Sequence, residues 1–63
     1  MKKQVEKLQK MGWDLTLYFT PEGVDIRVFK PETTSSVVSG AKTLDDVPTA
    51  LNEVLQTISV MYA

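Results

Sequence analysis

From Trp13 the chain alternates apolar and polar residues with a period of two, and it does so on both sides of a Pro-Glu-Gly turn signal. Trp13, Leu15, Leu17 and Phe19 fall on one face, with Asp14, Thr16, Tyr18 and Thr20 on the other. After the turn, Val24, Ile26 and Val28 oppose Asp25, Arg27 and Phe29. A period of two belongs to strands with one buried face. The stretch therefore specifies an antiparallel hairpin and the side of it that the rest of the chain must cover. In Thr20-Pro21-Glu22-Gly23, proline presets the first corner and glycine is free to take positive φ at the exit. A two-residue Glu22-Gly23 loop pairs Phe19 with Ile26, whereas a four-residue Thr20–Gly23 loop pairs Phe19 with Val24. Both keep apolar residues opposed, so the alternation leaves the loop length open.

The flanking segments supply the cover. Val5, Leu8 and Met11 recur at three-residue spacing among Lys2, Lys3, Glu6, Lys7 and Lys10, the pattern of a short amphipathic helix over residues 1–11, stopped by Gly12. Lys30-Pro31-Glu32-Thr33-Thr34 predicts a second turn. Ser35–Lys42, centred on Val37-Val38, predicts a weaker third strand at an edge, because Ser and Gly lower its drive to pair. Residues 43–63 predict a second helix. Thr43 and Asp46 have capping-box spacing, Asp45 and Asp46 suit the positive end of the helix dipole, and Pro48 places the regular helix start at Asp45 to Val47. Val47, Leu51, Val54, Leu55, Ile58 and Met61 or Tyr62 form its apolar stripe.

These elements predict an α+β fold of order α-β-β-β-α. A three-stranded antiparallel meander carries both helices on one face, in a single domain over residues 1–63. The predicted inward set is Val5, Leu8, Trp13, Leu15, Leu17, Phe19, Val24, Ile26, Val28, Val38, Leu51, Val54, Leu55 and Ile58. A 7.0 kDa chain of this kind has a folded surface of roughly 4,000 Å² and buries only about 60% of what it exposes when unfolded. With so thin a margin a monomer is still expected to be able to fold, and a homodimer or a bound partner would add stability.

The helix order and length, over the whole chain, resemble in topology those of the double-stranded-RNA-binding domain family. That resemblance implies duplex binding through lysines at the start of the last helix. The matching stretch here is Thr43-Leu44-Asp45-Asp46-Val47-Pro48, in which two carboxylates stand in their place. Phosphate contacts supply essentially all non-specific affinity, so the acids argue against duplex binding by that route. Gly40-Ala41-Lys42-Thr43-Leu44-Asp45-Asp46 is also loosely similar to the helix entry of HicB-type antitoxin domains, whose following Glu-Ala and Asn positions do not align with Ala50 and Asn52. Neither resemblance carries a functional residue over.

Zero cysteine and zero histidine exclude disulfide scaffolds, zinc fingers, iron–sulfur centres, thiol nucleophiles and any Ser-His or Cys-His pair. Carboxylate, lysine or tyrosine chemistry is left. Asp45-Asp46 are adjacent residues at a helix start that point in different directions, a better fit to capping than to an acid–base pair or a Mg²⁺ site. Gly12, Gly23 and Gly40 lack phosphate-loop spacing. The expectation is a protein that is not an enzyme, with no catalytic residue, cofactor, metal or small-molecule substrate. No run approaches the 18 or so apolar residues of a membrane span, and Met-Lys-Lys-Gln-Val-Glu lacks the apolar stretch of a signal peptide. A cytoplasmic, intracellular address without membrane contact is expected.

Two surfaces stand out. Residues 1–12 hold four lysines and one glutamate, a local +3, and the remainder holds three basic and seven acidic groups, a local −4, which together give the net −1. Lys3, Lys7 and Lys10 line one side of the first helix, where they either meet a phosphate backbone or acidic partner, or form a solvated face. On the uncovered sheet face, Tyr18, Arg27 and Phe29, with Val37 expected beside Phe29, are residue types that anchor protein interfaces. The sequence thus predicts a small non-enzymatic protein-binding module acting through its open sheet face or by homodimerisation. Such chains are common among phage and mobile-element products that inhibit or adapt host proteins. The alternative is nucleic-acid binding through the lysine-rich helix.

Overall fold

In the computed structural model, which describes residues 1–62, the first helix α1 (Lys2–Lys10) ends in a Schellman arrangement. Gly12, at φ +83°, follows the Met11 cap, and its N–H donates to the Gln9 carbonyl at 3.0 Å. The Trp13 N–H donates to the Leu8 carbonyl at 3.0 Å. Leu8 and Trp13 are both core residues, so the apolar pair that accompanies this motif turns the chain from helix into strand. Lys7 and Lys10 occupy the last turn, where they complement the negative end of the helix dipole.

Strands β1 (Asp14–Thr20) and β2 (Gly23–Phe29) pair antiparallel, with Phe19 opposite Val24, Leu17 opposite Ile26 and Thr20 opposite Gly23. The sheet thus takes the register of the Thr20–Gly23 turn, and the Thr20 hydroxyl donates to the Gly23 carbonyl at 3.0 Å. Strand β3 (Ser36–Ala41) pairs with the other side of β2, giving the order β1-β2-β3. In the second turn the Thr33 N–H donates to the Lys30 carbonyl at 3.2 Å, around Pro31 and Glu32. Glu32 sits at φ 67°, the position of a type II turn that favours glycine.

Leu44–Asp46 forms a 3₁₀ turn and helix α2 runs over Val47–Met61, so the helix starts inside the window Pro48 defines. The capping box does not form. Instead the Thr43 hydroxyl reaches the Asp46 carboxylate at 3.3 Å, and no side chain caps a backbone N–H. Ala63, the predicted helix end, lies outside the described residues.

Both helices lie on the face that carries Val24, Ile26 and Val28, with α2 against β3 and α1 beside β1. Leu8, Trp13, Leu51, Val54, Leu55 and Ile58 join those three valine and isoleucine side chains in the core. Val5, Leu15 and Leu17 are half-buried against it, while Val47 and Ala50 prove fully inward additions. Two predicted core residues are outside: Phe19 is 66% exposed and Val38 is 71% exposed. The cause for Phe19 is length. A nine-residue helix spans about 13 Å and a seven-residue strand about 23 Å, so α1 cannot cover the far end of β1. For Val38 the cause is register, since Val28 pairs with Val37 and Arg27 with Val38. Val37 therefore belongs to the helix side and not beside Phe29.

Candidate functional site

Three cross-strand rows build the open face of the sheet. Asp14, Phe29 and Ser36 form the first, Thr16, Arg27 and Val38 the second, and Tyr18, Asp25 and Gly40 the third. Strand alternation projects all nine positions away from the helices. Of the predicted interface residues, Tyr18, Arg27 and Phe29 share this face, Val37 does not, and Val38 takes its place. Nothing in Ser35-Ser36-Val37-Val38-Ser39 marks which valine faces out, because the six-residue connection from Lys30 to Ser35 decides it. Phe19, on the other side of β1, was also missed as a surface residue. The shortness of the first amphipathic segment is its one signal, and it becomes decisive only once α1 is placed over β1.

Phe29 is 45% exposed and Tyr18 48% exposed, so each keeps nearly half of its residue surface open to contact. The Arg27 guanidinium carbon lies 5.1 Å from the centre of the Tyr18 ring, reached diagonally across the β1–β2 pair. Among the described residues no carboxylate lies within ion-pair distance of Arg27, and the sole ion pair is Lys2–Glu6 at 4.0 Å. The guanidinium thus spends its planar face on an aromatic ring and keeps its N–H edge free. Asp14 and Asp25, each paired across strands with an aromatic, make the surroundings acidic.

Lys3, Lys7 and Lys10 are exposed on α1. Placed at steps of four and three residues they share one helix side, remote in sequence from the sheet face. A shallow groove of 610 Å³ lies between the β1–β2 hairpin and the end of β3, with Glu22, Asp25 and Lys42 among its lining residues. Among the described residues no three Asp, Glu, His or Cys side chains gather as a metal site, and no helix is long and apolar enough to cross a membrane. No protein-family model, curated protein or solved structure matches this chain.

Proposed function

We propose that this chain is a non-enzymatic protein-binding module that docks another protein through the open sheet face, with Tyr18, Arg27, Phe29 and Val38 as its contacts. The observation that carries the reading is the concentration of half-exposed aromatic area and an unpaired arginine on one flat, helix-free surface. Aromatic side chains lose little conformational freedom on docking, and aromatic and arginine side chains dominate interface energetics, whereas Thr16, Ser36 and Gly40 around them permit close approach. Asp14 and Asp25 at the margin favour a partner that is apolar at its centre and basic at its rim. Inhibition or adaptation of a host protein, as by a phage or mobile-element product, is one setting for such a module.

The test is capture of a partner from cell lysate by the immobilised chain, repeated with Phe29→Ala and Val38→Asp. Both positions are exposed, so the variants are expected to fold and to lose the partner. Retention by both variants refutes the sheet-face site. Nucleic-acid binding through Lys3, Lys7 and Lys10 is the competing reading. Its signature is affinity for a generic duplex or single strand at low salt that falls steeply with added salt and disappears when the three lysines become alanine.

A further inference from the structure

We propose that β1 pairs antiparallel with β1 of a second copy of this chain, across a two-fold axis at Leu17, to form one continuous six-stranded sheet. The surface involved is the backbone edge of the sheet, which shares only Tyr18 with the proposed docking contacts of the open face. β1 is an outer strand of seven residues, paired to β2 without a bulge. It contains no lysine, arginine or proline, the residues that commonly protect a free edge, and Asp14 is its one charge. On its helix side Leu15 and Leu17 are half-buried and Phe19 is largely bare.

The strand is complementary to itself. With the axis at Leu17, all seven residues pair: Leu15 meets Phe19 of the second copy, Thr16 meets Tyr18, and Asp14 meets Thr20. Every pair stays on its own face of the sheet and no like charges oppose. β3, the other edge, has six residues, so pairing its full length with itself would set Val38 against Ser39, which belong to opposite faces. The cover is complementary as well. Val5 and Gln9 of α1 flank the first half of β1 around Trp13 and Leu15, enclosing a groove of 370 Å³, and leave the second half open. The axis brings the flanked half of one copy against the bare half of the other.

The accessible surface is 4,569 Å² against roughly 4,000 Å² for a compact monomer of this mass, an excess of about 500 Å² per chain. A strand-edge contact between two chains of this size lies near the lower bound of specific interfaces, about 1,000 Å², so the dimer is expected to be weak and concentration-dependent.

The chain has no cysteine, so single introduced cysteines report the register directly. Opposed Cα atoms of an antiparallel pair lie about 4.5–5.5 Å apart, within the roughly 4.4–6.8 Å that a disulfide accepts. Thr16→Cys and Tyr18→Cys, both at exposed positions, are expected to cross-link when mixed under mild oxidation and not when each is alone. Leu17→Cys is expected to cross-link with itself. Sedimentation of the wild-type chain over a dilution series is expected to show reversible dimers that Phe19→Lys weakens at least tenfold. A wild-type chain that stays monomeric to about 1 mM, where even a weak specific dimer is populated, overturns the proposal. So does a dimer that Phe19→Lys leaves intact, or one in which the mixed Thr16→Cys and Tyr18→Cys chains do not cross-link. Phe29→Ala and Val38→Asp, off the β1 edge, are expected to leave the dimer intact, and Phe19→Lys, on the helix side, is expected to leave partner capture by the sheet face intact.

Discussion

Trp13 and Tyr62 meet ring to ring, with centroids 5.4 Å apart and planes inclined at 57°. Trp13 immediately precedes β1 and Tyr62 caps α2, so the contact ties the start of the sheet to the end of the last helix. The Tyr62 hydroxyl also points at the Ser36 carbonyl, at 3.5 Å. A tilted aromatic pair contributes about 0.5–1.5 kcal/mol beyond its buried area. Tyr62→Ala is expected to lower the unfolding free energy by about 2 kcal/mol, and Tyr62→Phe by less than about 0.5 kcal/mol. Urea denaturation followed by fluorescence of Trp13, the single tryptophan, measures both. The same signal checks the geometry, because folded Tyr62→Ala exposes the indole and shifts its emission to longer wavelength.

Gly12 and Gly23 both sit at positive φ, yet replacing them has different consequences. A Cβ on Gly12 meets nothing within 4 Å, so Gly12→Ala costs only the left-handed backbone, about 1 kcal/mol. Gly23 is at φ +144°, and a Cβ there stands 2.6 Å from the Ala41 carbonyl oxygen, which is backbone and cannot turn aside. Gly23→Ala is expected to cost about 3 kcal/mol, combining strain with displacement of β3 from β2. Chemical denaturation of the two variants side by side gives the contrast. Equal losses would contradict the close approach at the hairpin.

The parts of the fold legible in the sequence are those with a strong local period or a special backbone demand. The Trp13–Phe19 and Val24–Val28 alternation, the Gly12 stop and the Pro48 boundary each depend on a few neighbouring residues, and each stands where the pattern put it. What the sequence did not reveal depends on lengths added over distance. The adjacent Val37 and Val38 carry no parity of their own, so only the loop that precedes β3 determines that Val38 joins Arg27. Phe19 has an inward-facing position but nothing above it, because coverage depends on how far α1 reaches. The candidate face shared this division. Tyr18, Arg27 and Phe29 follow from the hairpin alternation alone, and the third-strand member requires the register.

Glu32 holds a left-handed conformation that costs a non-glycine residue about 1–2 kcal/mol, at the third position of the turn around Pro31. Glycine removes that strain but loses about 0.5–1 kcal/mol of extra backbone entropy on folding, so Glu32→Gly is expected to be stabilising by about 0.5 kcal/mol. Glu32→Asn tolerates the conformation without the full entropy loss and is expected to gain about as much or slightly more. Thermal or urea unfolding of both variants decides this, and a loss of stability in both would place the turn strain elsewhere.

Gln4 bridges the two helices, its amide donating to Asn52 Oδ1 at 3.2 Å while its own Oε1 is buried without a partner. A buried, unsatisfied carbonyl costs about 1–3 kcal/mol, more than one exposed amide hydrogen bond returns. Gln4→Leu keeps a good helix former and adds an apolar side chain one helical turn from Leu8. It is expected to raise the unfolding free energy by about 1 kcal/mol, with Asn52→Ala within about 0.5 kcal/mol of wild type.

Arg27 and Tyr18 pose the question of whether the open face serves folding or docking. The guanidinium over the ring contributes about 0.5–1 kcal/mol at an exposed site, and diagonal pairs across a sheet are of similar worth. A double-mutant cycle of Arg27→Ala and Tyr18→Ala is therefore expected to give a coupling of about 0.5 kcal/mol, with each single loss below about 1.5 kcal/mol. Such small values identify a contact that orders the face without supporting the core, which leaves both variants folded and usable in partner capture. A coupling above about 2 kcal/mol would instead assign Arg27 and Tyr18 to stability. The docking reading would then rest on Phe29 and Val38, which are 45% and 71% exposed.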